Sequence, residues 1–105
     1  VPTSTQFLRD VAKIASLATE HRLPTVCQWA EMAHAGCLIG YGASLADLRR
    51  RTARYVAHTL RGASPADLPV EQAGVFELAI NLATAKDVSV SVPYTLVARA
   101  DEVIE

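Results

Sequence analysis

Charge of one sign is what this 105-residue sequence most lacks: ten Lys and Arg face eleven Asp and Glu, for a net charge of −1. Without a basic excess, strong attraction to nucleic acid or to an anionic membrane surface is not expected. No apolar run approaches ~18 residues, so no transmembrane helix is expected and no direct membrane insertion. The opening Val1-Pro2-Thr3-Ser4-Thr5 lacks the basic start and apolar middle of a signal peptide. Cysteine is scarce. Cys27 and Cys37 both sit in apolar runs and read as buried free thiols, since a disulfide needs strand geometry that sequence does not display. Repeats and low-complexity tracts are absent. Half the residues are apolar and a fifth are charged, which excludes a disordered chain. The length supports one domain at most, or part of one, with a core of limited margin.

The chain is organised around residues 37–60. Cys37-Leu38-Ile39 reads as a buried strand. Gly40-Tyr41-Gly42-Ala43 then reads as a tight strand-to-helix turn, its glycines permitting unusual backbone angles or the close approach of a ligand or a second chain segment. Ser44 with Asp47 three residues on resembles a capping box, and the helix runs to about Leu60 with Gly62 as terminator. Before this core, Ser4 or Thr5 caps one continuous helix with Phe7, Leu8, Val11, Ile14, Ala15 and Ala18 on its apolar face, ending near His21 because Pro24 follows. Thr25-Val26-Cys27 reads as a short interior strand, and residues 28–35 as a short helix stopped by Gly36.

After residue 62 the signals are mixed. The Ala63–Pro69 stretch is a turn-rich connector. Val70-Glu71-Gln72 reads as an edge strand and Val75–Ile80 as a stronger one, with Phe76, Leu78 and Ile80 on one face. Asn81 caps a helix from Leu82 to Asp87. Val88, Val90 and Val92 alternate as in a half-buried strand, and a last helix is predicted from Tyr94 to about Ile104. Strands alternating with helices argue for an α/β layer with mostly parallel strands. The chain opens on a helix where such a layer opens on a strand, so the expectation is a fragment, its sheet completed by another segment or chain.

Few residues suggest chemistry. Gly40-Tyr41-Gly42 is a poor dinucleotide turn, because Leu45 stands where the third glycine belongs. His21, His34, His58, Cys27 and Cys37 have no metal-ligand spacing, so no metal and no cofactor are expected. No nucleophile motif is present, and Ser44 is better explained as a cap, so the chain is not expected to be an enzyme. The arginines 49, 50, 51, 54 and 61 read as a solvated helix face. Trp29 and Tyr41 stand out, each following a strand end, where open α/β sheets bind ligands. Two readings stand side by side. With Gln28 the rings line a cleft for an apolar or aromatic small molecule, or they fill core and interface space.

Several longer stretches then point to a family. They are residues 21–26, 35–42, 61–72 (Arg-Gly-Ala-Ser-Pro-Ala-Asp-Leu-Pro-Val-Glu-Gln), 76–86 (Phe-Glu-Leu-Ala-Ile-Asn-Leu-Ala-Thr-Ala-Lys) and 98–105. In that order they resemble the C-terminal third of ABC-transporter substrate-binding proteins of the tryptophan/tyrosine-binding-like family. The resemblance implies the Rossmann-like layers of a periplasmic binding protein, two lobes with a ligand cleft between them. It implies an exported or periplasmic protein that captures a small solute, such as an aromatic or branched amino acid, and hands it to an ABC permease. Residues 1–40 would belong to the second lobe, and residues 41–105 would form the inter-lobe crossing and the segment returning toward the first lobe. Gln28, Trp29, Tyr41 and Gly42 would be the ligand-binding residues. The rival expectation is a non-catalytic module that binds no solute and pairs strand edges into a homodimer.

Overall fold

The computed structural model describes residues 1–105. Four strands form one sheet in the order β1-β2-β3-β4: Val26–Cys27, Ile39–Ala43, Phe76–Asn81 and Glu102–Ile104. β1 pairs with β2 in parallel, β2 with β3 antiparallel, and β3 with β4 in parallel. The sheet is thus mixed but mostly parallel, within the α/β class expected. Six α-helices accompany it: α1 Thr5–Arg9, α2 Val11–Glu20, α3 Glu31–His34, α4 Leu45–Leu60, α5 Leu82–Asp87 and α6 Tyr94–Val97, with a 3-10 turn at Pro65–Asp67. No helix is long and apolar enough to cross a membrane.

The core is small and lies at one end. Val11 and Ala15 of α2 pack with Met32, Cys27 and Cys37, and Trp29 and Leu8 lean on this cluster from outside. Asn81 joins α3 to α5: its Nδ2 donates to the Ala33 carbonyl at 2.9 Å and its Oδ1 accepts from the Thr84 N–H at 3.0 Å. By contrast α4 buries no residue at all. The radius of gyration is 17.0 Å, against about 13 Å for a compact domain of this length. The molecule is drawn out to 55 × 30 × 17 Å.

Helix ends follow local rules closely. Ser44 Oγ accepts from the Asp47 N–H at 3.3 Å, as its capping role requires. Four helices close with the same paired bonds. After α2, Arg22 N–H donates to Thr19 O and Leu23 N–H to Ala18 O. After α3 the pairs are Gly36 to Ala33 and Cys37 to Met32. After α4 they are Gly62 to Thr59 and Ala63 to His58, and after α5 Ser89 to Lys86 and Val90 to Ala85. The residue at the turn is left-handed in each case: Gly36 and Gly62, but also Arg22 at φ 54° and Ser89 at φ 59°.

Several expectations are corrected. The cysteines are buried but not free: Cys27 and Cys37 form a disulfide, with Cα atoms 6.4 Å apart. Parallel pairing of Val26 with Ile39 brings the two chain segments to bridging distance. The N-terminal helix is broken at Asp10, which closes α1 through its N–H to Gln6 O and opens α2 through its carbonyl to the Ile14 N–H. Gly40-Tyr41-Gly42 is not a turn. It lies inside β2, because pairing with β3 along all five residues overrides the weak strand preference of glycine. Val70–Gln72 has no partner strand and is irregular. The alternation at Val88–Val92 yields no strand, since Val88 and Ser89 terminate α5. The last predicted helix stops at Val97. Asp101 then docks on Leu78, its N–H donating to Leu78 O and its Oδ2 accepting the Leu78 N–H, both at 2.8 Å, and this starts β4.

Candidate functional site

The sheet narrows to a ribbon. β1 reaches only Ile39 and Gly40 of β2, and β4 reaches only Ala79–Asn81 of β3. Beyond those residues Tyr41–Ala43 and Phe76–Leu78 continue alone, as two antiparallel strands leading away from the core toward α4. Side chains alternate across such a ribbon. Ile39, Tyr41, Ala43, Phe76, Leu78 and Ile80 share one face. Gly40, Gly42, Glu77, Ala79 and Asn81 share the other.

The first face is aromatic and open at its outer end. Tyr41 stacks on Phe76 with ring centroids 6.0 Å apart and planes inclined by 24°. Both remain exposed, at 55% and 52%. The register explains the pair: Phe76 lies opposite Ala43, so it is the diagonal neighbour of Tyr41 on the same side. Phe76 was not among the residues expected at the site. Its alternation with Leu78 and Ile80 was the available signal, but only the pairing with β2 puts it beside Tyr41.

The second face carries a segment of main chain. Between β1 and α3 the chain turns through Gln28, Trp29 and Ala30, and this turn lies directly on β2. A Cβ at Gly42 would fall 1.8 Å from the Gln28 carbonyl oxygen, and one at Gly40 would fall 2.3 Å from that of Trp29. Neither glycine has a positive φ. Their use here is bareness, not backbone freedom. The turn is fixed from its other side as well. The Met32 N–H donates to Trp29 O at 3.0 Å, the disulfide begins at the adjacent Cys27, and the Gln28 side chain is hydrogen-bonded to the Thr3 hydroxyl.

The four expected site residues therefore divide. Gln28, Trp29 and Gly42 come together on one side of β2, and Tyr41 projects from the other. The Trp29 ring is partly buried against the core cluster, while Tyr41 is open. A hollow of about 400 Å³ beside the ribbon is lined by Ala30, Val75–Leu78, Asp101 and Glu102. It touches Phe76 but none of the four. A smaller groove of about 220 Å³ lies between α4 and the Leu68–Glu71 segment, lined by Arg54, Tyr55 and His58. There, partial burial first and the Glu71 carboxylate second push the Tyr55 phenol above its ordinary 10.0. No three His, Cys, Asp or Glu side chains gather where they could hold a metal ion.

Residues 1–104 match the family model described as ABC transporter substrate binding protein. Among solved structures, a conserved domain protein from Vibrio cholerae superposes with a TM-score of 0.86 at 24% identity, over 92% of this chain and 33% of that one. An ABC domain from Streptococcus pneumoniae, solved in complex with L-Trp, gives 0.86 at 24% identity, over 99% and 36%. A substrate binding protein with adhesive properties from Clostridium difficile, solved open and ligand-free, gives 0.63 at 21%, over 99% and 35%. At these identities the likeness is one of fold. The chain spans about a third of the length of each. No curated protein matches it in sequence.

Proposed function

The chain belongs to the family of ABC transporter substrate binding proteins, and on that basis we propose that it serves in solute capture for an ABC importer, with no bond chemistry. The observation that carries this reading is the bare two-stranded ribbon. β2 and β3 leave a packed α/β body and lead to a 16-residue helix with no fully buried residue. That is the form of a crossing between two lobes. Residues 1–40 form the second-lobe segment in this reading, and the crossing begins at Tyr41. The chain returns along β3, which sets Ala79 and Ile80 opposite Gly40 and Ile39 and carries β4 on its other edge. Capture then works by hinge closure, the solute favouring the closed population through contacts made only there.

The solute is a small molecule, an aromatic or branched amino acid. On one side of β2 Gln28 offers hydrogen bonds and Trp29 an apolar ring, with Gly42 keeping Gln28 against the strand; on the other side Tyr41 offers a ring of its own. The L-Trp held by the pneumococcal relative supports this class. A disulfide supports export, since such bonds persist in oxidising compartments. Because Trp29 and Tyr41 lie on opposite sides of β2, their variants report on different surfaces. Calorimetry with L-tryptophan and L-leucine on the unsubstituted protein, Trp29→Ala, Tyr41→Ala and the double variant tests the assignment. Binding by the unsubstituted protein that weakens in one single variant is the expected result. Affinity unchanged in the double variant removes both residues from the site, and binding of neither amino acid overturns the solute class.

A homodimer is the second reading. It is favoured by the apolar side chains that α4 and its neighbour leave in solvent, Val56, Leu60 and Val70. Light scattering that reports a monomer at all concentrations eliminates it.

A further inference from the structure

We propose that Gly40 and Gly42 are positioning residues: the bare face of β2 seats the Gln28–Ala30 turn, so the crossing strand itself sets where Gln28 and Trp29 meet the solute. This rests on the solute-capture reading given above and adds a mechanical link to it. The turn and the strand touch through main chain. The atoms that a Cβ would strike are the carbonyl oxygens of Gln28 and Trp29 and the Cα of Ala30, at 1.8, 2.3 and 2.9 Å. None of these can swing aside as a side chain does. Relief of a clash must lift the whole turn or bend the strand.

The turn has little freedom to lift. Cys27 is its first neighbour, and the disulfide to Cys37 ties it to the residue two before β2 begins. Trp29 O and Ala30 O both accept bonds from the first turn of α3, from Met32 and Ala33. Strand, turn and short helix therefore move as one piece. The same strand continues through Tyr41 into the ribbon and α4. A change in ribbon direction at Gly40–Gly42 is carried to Gln28 and Trp29 without passing through any flexible side chain. Two other glycines serve as contrasts. A Cβ at Gly74 meets only the far end of the Arg51 side chain, at 3.3 Å, and one at Gly62 meets nothing.

The test uses the intact, oxidised chain with L-tryptophan as the calorimetric probe and Trp29, the one tryptophan present, as a separate optical reporter measured without probe. Gly42→Ala and Gly40→Ala are compared with Gly74→Ala. The expected result is a shifted Trp29 emission in the first two and an affinity loss of about tenfold or more, the scale of one displaced contact, with neither change in Gly74→Ala. Unshifted emission together with unchanged affinity in a folded Gly42→Ala overturns the proposal. If the unsubstituted chain binds no L-tryptophan, the solute reading fails, and the emission comparison alone decides whether the turn is seated as described. If Gly42→Ala does not fold, amide resonances of the unsubstituted chain decide instead. Gly40 and Gly42 must shift in step with the Trp29 indole during titration with probe, and an indole that moves while both glycines stay still overturns the coupling.

Discussion

Reducing the Cys27–Cys37 bond is the perturbation with the clearest expected magnitude. The two residues are ten apart in sequence, and both are buried in the small cluster with Val11, Ala15 and Met32. A cross-link of that span removes chain entropy from the unfolded ensemble worth about 2.7 kcal/mol at room temperature. Reduction changes little else, because two thiols fill nearly the same space as the bond. For a chain of this size 1 kcal/mol corresponds to roughly 4–8 °C in melting midpoint, so a fall of roughly 10–20 °C is expected. The assay is a thermal melt followed by Trp29 emission, with and without a phosphine reductant. Thiol titration under denaturing conditions confirms two free thiols in the reduced sample. Burial adds a kinetic expectation: the reductant must wait for local opening, so reduction speeds up sharply in mild urea. A fully reduced chain with the same midpoint as the oxidised one refutes the argument, since the loop closure would then contribute nothing.

Three further outcomes follow from particular residues. Asn81→Ala strips the α5 cap, leaves the buried Thr84 N–H without its partner and removes one of the two donors to the Ala33 carbonyl, which keeps the Gly36 N–H, a loss of about 1–3 kcal/mol in urea denaturation. Arg22→Gly and Ser89→Gly relieve left-handed backbone at helix ends and should each raise stability by about 0.5–1 kcal/mol; a loss in both would show that those side chains matter more than their backbone. Finally, a phenol raised above 10.0 keeps its proton longer in the folded chain. The stability Tyr55 contributes is complete below pH 10.0 and fades as pH rises through the folded value. Absorbance titration of the unsubstituted protein minus Tyr55→Phe should show a midpoint above 10.0, and one at or below it contradicts the placement beside Glu71.

What the sequence disclosed was mostly what its near neighbours decide. Ser44 with Asp47 and Gly62 bounded α4 at both ends, and Asn81 opened α5 where expected, because caps and stops involve residues three or four apart. Val88–Val92 alternates as well as any strand, yet a strand exists only beside a partner, and Ser89 is committed to ending a helix. Glu102–Ile104 became a strand through Asp101 on Leu78, a contact 23 residues away in sequence. The cysteine pair was hidden for the same reason. At the candidate site, Gln28 and Trp29 do follow the end of a strand. That Tyr41 faces away from them depends on β2 running straight through its glycines, and that Phe76 joins it depends on register with β3. Neither is written in any local pattern.

The helix Leu45–Leu60 has one more consequence. With no residue fully buried, its backbone bonds rely on the Ser44 cap, the Arg51 contacts with Asp47 and Glu71, and its closing glycine turn. Ala79 and Ile80, by contrast, are flanked by strands on both sides. Placed in deuterated water the molecule therefore keeps two clocks, a fast one in the helix and a slow one in the sheet, and the interval between them measures how unevenly order is shared between the two halves.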